Sequence, residues 1–446
     1  MESGTAAAYA ARLLDSLGLH GCTPSAPGEH PALAWAGSGL MSLTGQADGP
    51  PQMCPAPLAS CADGALAALA VLAPPGAFDG SRGSFLLAER AALMGLQRRG
   101  ERSPGGACRL YPAADGWIGL NLAREDDWSL LPAWLELEGS VPAAESLPPL
   151  IRARRRDELV ERGRLLGLAV AADRLPGDEA VPWFSLAAEG PRREVGERPP
   201  RVLDLSSLWA GPLCGHLLRR MGAEVIKLES PRRPDGARLG NAAFFDRLND
   251  GKHCVAIDPG TAEGLRHWRA LIAWADIVIE GSRPRALRQL GIDAEALVRE
   301  RPGLCWISLS GYGRGEPREH WIAYGDDAAV AAGLSALMHQ ATGQHLICGD
   351  AIADPLTGLH AALAAWAAHR SGQSRLIAVA LRDVVGHALQ FDRPRSAEAL
   401  RQRQDTWTAM ALAAGVREPR ARQVTEQAHA LGADTAVVLS RLGLAC

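Results

Sequence analysis

Nine cysteines are scattered through the 446 residues without one Cys-x-x-Cys pair, and no histidines cluster at metal-ligand spacing. A disulfide framework or a zinc site would need such spacings, so neither is expected, and a reducing cytoplasm is the expected compartment. Long hydrophobic runs are missing too: no stretch of about 18 apolar residues occurs, so no membrane span is expected. The first residues are Ala-rich and acidic at Glu2, without the basic-then-apolar order of a signal peptide. An excess of one charge is also absent. Lys plus Arg number 47 against 50 Asp plus Glu, a formal net charge of −3, which gives no support to a nucleic-acid or membrane-surface partner. The basic run Arg152-Ala153-Arg154-Arg155-Arg156 is followed at once by Asp157 and Glu158, the pattern of a solvated helix face.

What remains is an ordinary globular balance, 47% hydrophobic and 22% charged, in a chain long enough for two or more domains. The first half reads as a helix from Ala6 to Leu17, a buried Ala/Leu helix over 58–73, a breaker-rich connection from Pro74 to Gly83 and a helix over 84–98. The loop Ser103-Pro104-Gly105-Gly106 follows. Two strands within 107–121 flank the turn Ala114-Asp115-Gly116, and helices at 125–137, 145–153 and 155–168 complete a small α+β unit. Gly190 to Pro200, charged and Pro-bearing, reads as a linker.

From Arg201 the character changes. Short apolar strands are expected at Val202–Leu205, Val225–Leu228, His253–Ile257, Ile277–Ile279 and Cys305–Leu309, alternating with helices at 261–274, 284–289 and 293–299. Such alternation over short connections predicts a parallel, doubly wound α/β sheet. Ligands of such sheets bind beyond the carboxyl ends of the strands, where backbone N–H groups can hold phosphate.

One segment occurs twice. Gly39-Leu40-Met41-Ser42-Leu43-Thr44-Gly45 leads into Gln46-Ala47-Asp48-Gly49-Pro50-Pro51 and reaches Asp63-Gly64; Gly333-Leu334-Ser335-Ala336-Leu337-Met338 leads into Thr342-Gly343 and reaches Asp354 and Gly358. Nothing like Asp-Gly-Pro-Pro follows Thr342-Gly343, so the first copy alone carries an acidic residue at that place. An Asp before Gly-Pro-Pro is also a common turn residue.

The run Leu203-Asp204-Leu205, Ala210-Gly211-Pro212, Gly222-Ala223-Glu224-Val225-Ile226-Lys227-Leu228-Glu229, Asn249-Asp250-Gly251-Lys252, Ala275–Glu280, Leu290-Gly291-Ile292, Pro302-Gly303-Leu304 and Ser310-Gly311-Tyr312-Gly313 strongly resembles the N-terminal half of the class III CoA-transferase family. Leu431–Thr435 with Val438, Leu439 and Leu442–Leu444 resembles that family's chain end, whereas the first 195 residues resemble its middle. The order is thus rearranged. The resemblance implies a Rossmann-like CoA-binding domain (198–390), a small α+β domain (107–190), an N-terminal segment (1–106) carrying the candidate nucleophile, and a tail (391–446) returning to the large domain. It implies Asp48 as catalytic aspartate and Gly105 and Gly106 in a mobile loop over the site. CoA contacts fall on Ser207, Leu208, Trp209, Ala210, Ile257 and Gly281-Ser282. The family's adenosine-side arginine falls on Gln289, which makes the neighbouring Arg288 the candidate. Tyr312 is the candidate acyl-pocket residue, or caps a strand, and Trp209 is equally readable as packing.

The implied activity is transfer of CoA from an acyl-CoA to a carboxylic acid, with CoA as substrate, no permanently bound cofactor or metal, and an interlocked homodimer. Two other functions fit the same fold. An α-methylacyl-CoA racemase would pair a His with an Asp; Asp63 and Asp354 match its Asp, but Tyr324 stands at the His position and His30 lies only near the equivalent site. A CoA-thioester-binding paralogue without chemistry would fit the rearranged order and the altered CoA contacts.

Overall fold

The computed structural model describes residues 4–423 and 426–444; Glu2 and residues 424, 425, 445 and 446 of the expected tail lie outside them. Ten strands are described: β1 Cys108–Ala113, β2 Gly116–Asn121, β3 Ala169–Asp173, β4 Ser185–Arg192, β5 Arg201–Asp204, β6 Glu224–Glu229, β7 His253–Ala256, β8 Ile277–Glu280, β9 Cys305–Ser310 and β10 Gln373–Ala380. Seven of them form one sheet in the order β4-β10-β9-β8-β5-β6-β7, and β1, β2 and β3 form a second, antiparallel sheet. The large sheet is parallel except where β10 meets β4.

Side chains alternate across a strand, so a sheet covered on both faces is apolar at most positions. The sequence supplies this, and the buried charges Asp204, Lys227 and Glu280 are each met by an ion pair. Val202, Ile277, Ile279, Ile307 and Val379 enter one core, and Leu203, Val278, Trp306 and Leu376 enter the other. The first core also takes the N-terminal segment: Tyr9, Leu13, Met41 and Leu66 pack there with Ala361 and Leu363 of the second copy. Both copies of the repeat therefore add Ala-rich helices, Leu58–Leu72 and Ala353–Ser371, to the same face of the large sheet. The small sheet has its own core with Trp134, Leu147 and Ile151.

Three local expectations are corrected. Ser185–Arg192, read as the end of the small unit and the start of a linker, is the edge strand β4, paired antiparallel with β10 from Ser185↔Ala378 to Arg192↔Gln373 across two register shifts. The continuous helix expected over 84–98 is two short ones, Gly83–Leu86 and Glu89–Met94, the second ended by Gly95 at φ +61°. Strands β3 and β10 were not anticipated. Near the chain's end, Asp434 Oδ2 accepts from Cys254 N (2.7 Å) and Thr435 Oγ1 from Ala256 N (3.0 Å), along β7.

Candidate active site

In the large sheet the strand order reverses at β5: β6 and β7 lie to one side, β8 and β9 to the other. The crevice at such a reversal, beyond the strands' carboxyl ends, is where doubly wound sheets hold ligands. Here it is bounded by the turn 205–209 after β5 and by Gly281-Ser282 after β8. Gly281 abuts that turn closely enough that a Cβ would stand 3.1 Å from Ser206 Cβ.

The turn after β5 is held from beneath by buried charges. Asp204 accepts from both Ser206 N and Ser206 Oγ, and pairs with Lys252 Nζ at 2.8 Å. Lys227 Nζ donates to Ser206 O (2.9 Å) and pairs with Asp235 at 2.9 Å; Asp235 Oδ1 in turn accepts from Leu208 N. Burial alone would raise the Asp204 pKa, but Lys252 and Lys227 hold it below the ordinary value. Buried ion pairs are weak contributors to net stability, yet they fix geometry firmly because breaking one strands a charge. Leu208 is consequently held at φ +71° with 43% of its surface exposed, and Ser207 is exposed beside it. Gly211 is required at this turn: a Cβ there would lie 2.1 Å from Ser206 Oγ. The helix Ala210–Arg220 starts immediately after; in its first turn Pro212 has no N–H and the Ala210 N–H is taken by Asp354.

Trp209 and Ala210 meet residues of the N-terminal segment and of the second repeat copy. The Arg90 guanidinium stands over the Trp209 ring and forks onto Asp350 with contacts of 2.7 and 2.5 Å. Gly105 lies against this pair; a Cβ there would be 3.2 Å from Arg90 and 3.4 Å from Asp350. Asp354 accepts from the Ala210 backbone, and Asp326 accepts from Ala351 N (2.7 Å) and from Ser103. One carboxylate, Asp350, thus holds the guanidinium, and two more, buried Asp326 and half-buried Asp354, lie near enough to feel its charge. Burial pushes Asp326 up to about 6, helped by Asp350, and Asp354 up to about 7, with Arg90 opposing both. Trp209 Nε1 is buried without a hydrogen-bond partner.

The structure therefore brings together Ser207, Leu208, Trp209, Ala210, Gly281 and Ser282, with Gly105 reaching them through Arg90. Ile257 is buried at the end of β7, its N–H bonded to Glu229 O and its carbonyl to Trp268 Nε1. Gly106, at φ +86°, turns the loop toward Arg99 and Arg102. Asp48 stands on an exposed turn, closed by Gly49 N to Gln46 O. Arg98 holds that turn through the carbonyls of Gln46 and Gly49, and Gly45 O accepts from Gly100 N, which ties the turn to the stretch leading into the 103–106 loop. Both arms of Arg288 are occupied, by Glu319 (2.8 Å) and Glu295 (2.9 Å). Arg283, directly after Ser282, makes no ion pair among the described residues and sits in a basic neighbourhood of Arg285, Arg124 and Arg233. Sequence reasoning missed Arg283 and Arg90; the first could have been found from its place beside Gly281-Ser282, the second from no local signal.

Asp63 is bound by Arg82 and Ser84 N, and His30 caps the helix Pro31–Ser38 through Ala32 N and packs edge-on against Trp407. Asp354 lies against Gly325, beside Tyr324 at the start of the helix Gly325–Ala331, so the residue at the racemase His position there is a phenol and not an imidazole.

Residues 200–414 match CoA-transferase family III. The match begins at β5 and takes in the whole crevice turn. The chain is 33% identical over 208 residues to a succinate–glutarate CoA-transferase of Agrobacterium fabrum, covering 42% of this chain and 52% of that one. It is 32% identical over 206 residues to a succinyl-CoA–D-citramalate CoA-transferase of Chloroflexus aurantiacus, covering 42% and 51%. It spans about half the length of the curated relatives it matches. Among solved structures, a CaiB/BaiF family protein from Brucella suis is 28% identical, with a TM-score of 0.39 over 51% of this chain and 60% of that one. No helix among the described residues is long and apolar enough to cross a membrane.

Proposed function

We propose that this protein moves CoA from an acyl-CoA thioester to a carboxylic acid, with Asp48 as the nucleophile. The observation that carries the reading is the rigidly supported turn Ser206–Ala210 at the sheet's reversal point, set in the segment that matches the family. Its exposed Ser207 and Leu208 suit an approaching pyrophosphate, and Arg283 supplies a cation free to meet phosphate.

In the first step the Asp48 carboxylate attacks the thioester carbonyl; the C–S bond breaks, CoA leaves as thiolate, and an aspartyl mixed anhydride remains. The thiolate attacks the aspartyl carbonyl, releasing the donor acid as carboxylate and leaving aspartyl-CoA. The acceptor carboxylate attacks that thioester, again freeing thiolate. The thiolate then takes the acceptor's acyl carbon, regenerating the Asp48 carboxylate. Each tetrahedral stage carries an oxyanion, for which the backbone N–H of Gly105 is the candidate donor, since the Gly106 N–H already donates to Ser103 O (2.8 Å). No permanently bound cofactor takes part; CoA and acyl-CoA are substrates. The exposed position of Asp48 requires that its turn and the CoA turn approach, within one chain or between the two chains of a homodimer.

A second reading, CoA-thioester binding without chemistry, is favoured by one observation: Asp48 lies outside the group formed by Arg90, Gly105 and Trp209. Incubation with succinyl-CoA or formyl-CoA and a panel of small dicarboxylic acids, read by chromatography of the CoA products, separates the two. New acyl-CoA supports transfer; binding with no new thioester supports the paralogue.

A further inference from the structure

A cavity of about 360 Å³ opens between the small α+β unit and the carboxyl ends of β9 and β10. Its polar lining is mostly cationic: Arg164 and Arg174 come from the small unit, Arg318 and Arg382 from the large one. Two of these are already neutralised, Arg174 by Asp157 and Arg382 by Asp383 at 2.9 Å. Arg164 and Arg318 make no ion pair among the described residues, though Asp383 is near enough to feel the Arg318 charge. The Arg164 guanidinium lies flat against aromatic rings, 3.9 Å from the Trp321 centroid and 4.9 Å from that of Tyr312. Its Nε is buried without a partner.

Tyr312 supplies the second, independent sign. It is only 3% exposed, it lines the cavity, and its hydroxyl makes no hydrogen bond of ordinary geometry, although Arg164 is close enough to oppose the upward push that burial gives its pKa. A buried phenol left without an acceptor is destabilising, as is a stranded guanidinium N–H. A bound anion satisfies both. Nearby, the side of Trp321 and the small residues Ala331, Ala332 and Gly386 offer a flat, apolar wall.

We infer that this cavity is an oxyanion site, taking a small organic acid or phosphate ester whose charged head meets the Tyr312 hydroxyl and the Arg164 and Arg318 guanidiniums while its body lies along Trp321. The inference stands on the cavity itself and not on CoA transfer, because binding is measured with no CoA present.

The test is isothermal titration of the full chain with benzoate, succinate and inorganic phosphate separately, at constant ionic strength, repeated on Tyr312→Phe and Arg318→Gln. Saturable one-to-one binding of at least one anion, weakened about tenfold or more in each variant, is the expected result. Carboxylates binding in preference assigns the head group as a carboxylate; phosphate binding in preference assigns it as a phosphate. No saturable binding of any of the three overturns the inference, as does binding that both variants leave unchanged while retaining wild-type circular dichroism.

Discussion

The Arg90 guanidinium carbon lies 5.2 Å from the centre of the Trp209 ring while the same guanidinium forks onto the buried carboxylate of Asp350. One side chain from the N-terminal segment thus joins the turn after β5 to the second copy of the repeat. Arg90→Ala removes the stacking and strands Asp350 beside Asp326 and Asp354. Breaking a buried pair in this way costs about 3–5 kcal/mol, so urea unfolding of the variant is expected to show a loss of that order. Arg90→Lys keeps the charge but not the planar fork, and is expected to recover only part of it.

Three carboxylates are expected to contribute stability that falls as pH rises between about 4 and 8, against the opposite trend of His360 and His387, whose pKa values burial lowers. Burial pushes Asp326, Asp354 and Asp327 up to about 6, 7 and 8. Their folded pKa values exceed the unfolded ones, so the folded state holds more protons in that window and deprotonation opposes folding. Asp327 is the cleanest probe. Its Oδ1 accepts from Tyr324 N and Asn121 Nδ2, and its Oδ2 is buried without a partner. Asp327→Asn is expected to flatten the pH dependence by up to about 1.4 kcal/mol per pH unit, seen in chemical unfolding at pH 5, 6, 7 and 8.

Arg283→Ala is expected to weaken CoA binding about tenfold, and Arg288→Ala to change it little. The two glutamates that hold Arg288 already occupy it, and a half-exposed pair of this kind is worth about 1 kcal/mol or less. Titration calorimetry with CoA on both variants checks the contrast; equal losses would remove Arg283 from the crevice.

Gly211→Ala should abolish CoA binding more completely than Gly281→Ala. The first places a methyl 2.1 Å from Ser206 Oγ and must break the turn; the second meets Ser206 Cβ at 3.1 Å, which a shift of a few tenths of an ångström relieves. The same calorimetry, with melting curves to show that each variant folds, gives the ranking.

The large sheet was legible because β5, β6, β8 and β9 are short, doubly buried apolar runs separated by helices, and period and length suffice to recognise them. β4 was not, since Ser185–Arg192 is an exposed edge strand whose burial is set by β10 and not by its own pattern. β10 reads locally as a polar start on an apolar end and is made a strand by its neighbours. The turn after β5 was legible through Ala210-Gly211-Pro212, where the steric demand on Gly211 leaves a mark in the sequence. Arg90 left no such mark: its role depends on contacts with Trp209 and Asp350, 119 and 260 positions away, and no local pattern encodes them.

The nucleophile is tested most directly by intact-mass spectrometry of the protein incubated with succinyl-CoA or formyl-CoA, with hydroxylamine trapping and peptide mapping. The account predicts a CoA or acyl adduct on Asp48, trapped as the hydroxamate and absent from Asp48→Asn. CoA binding with no adduct in the wild-type protein, or an adduct that persists in Asp48→Asn, would contradict it.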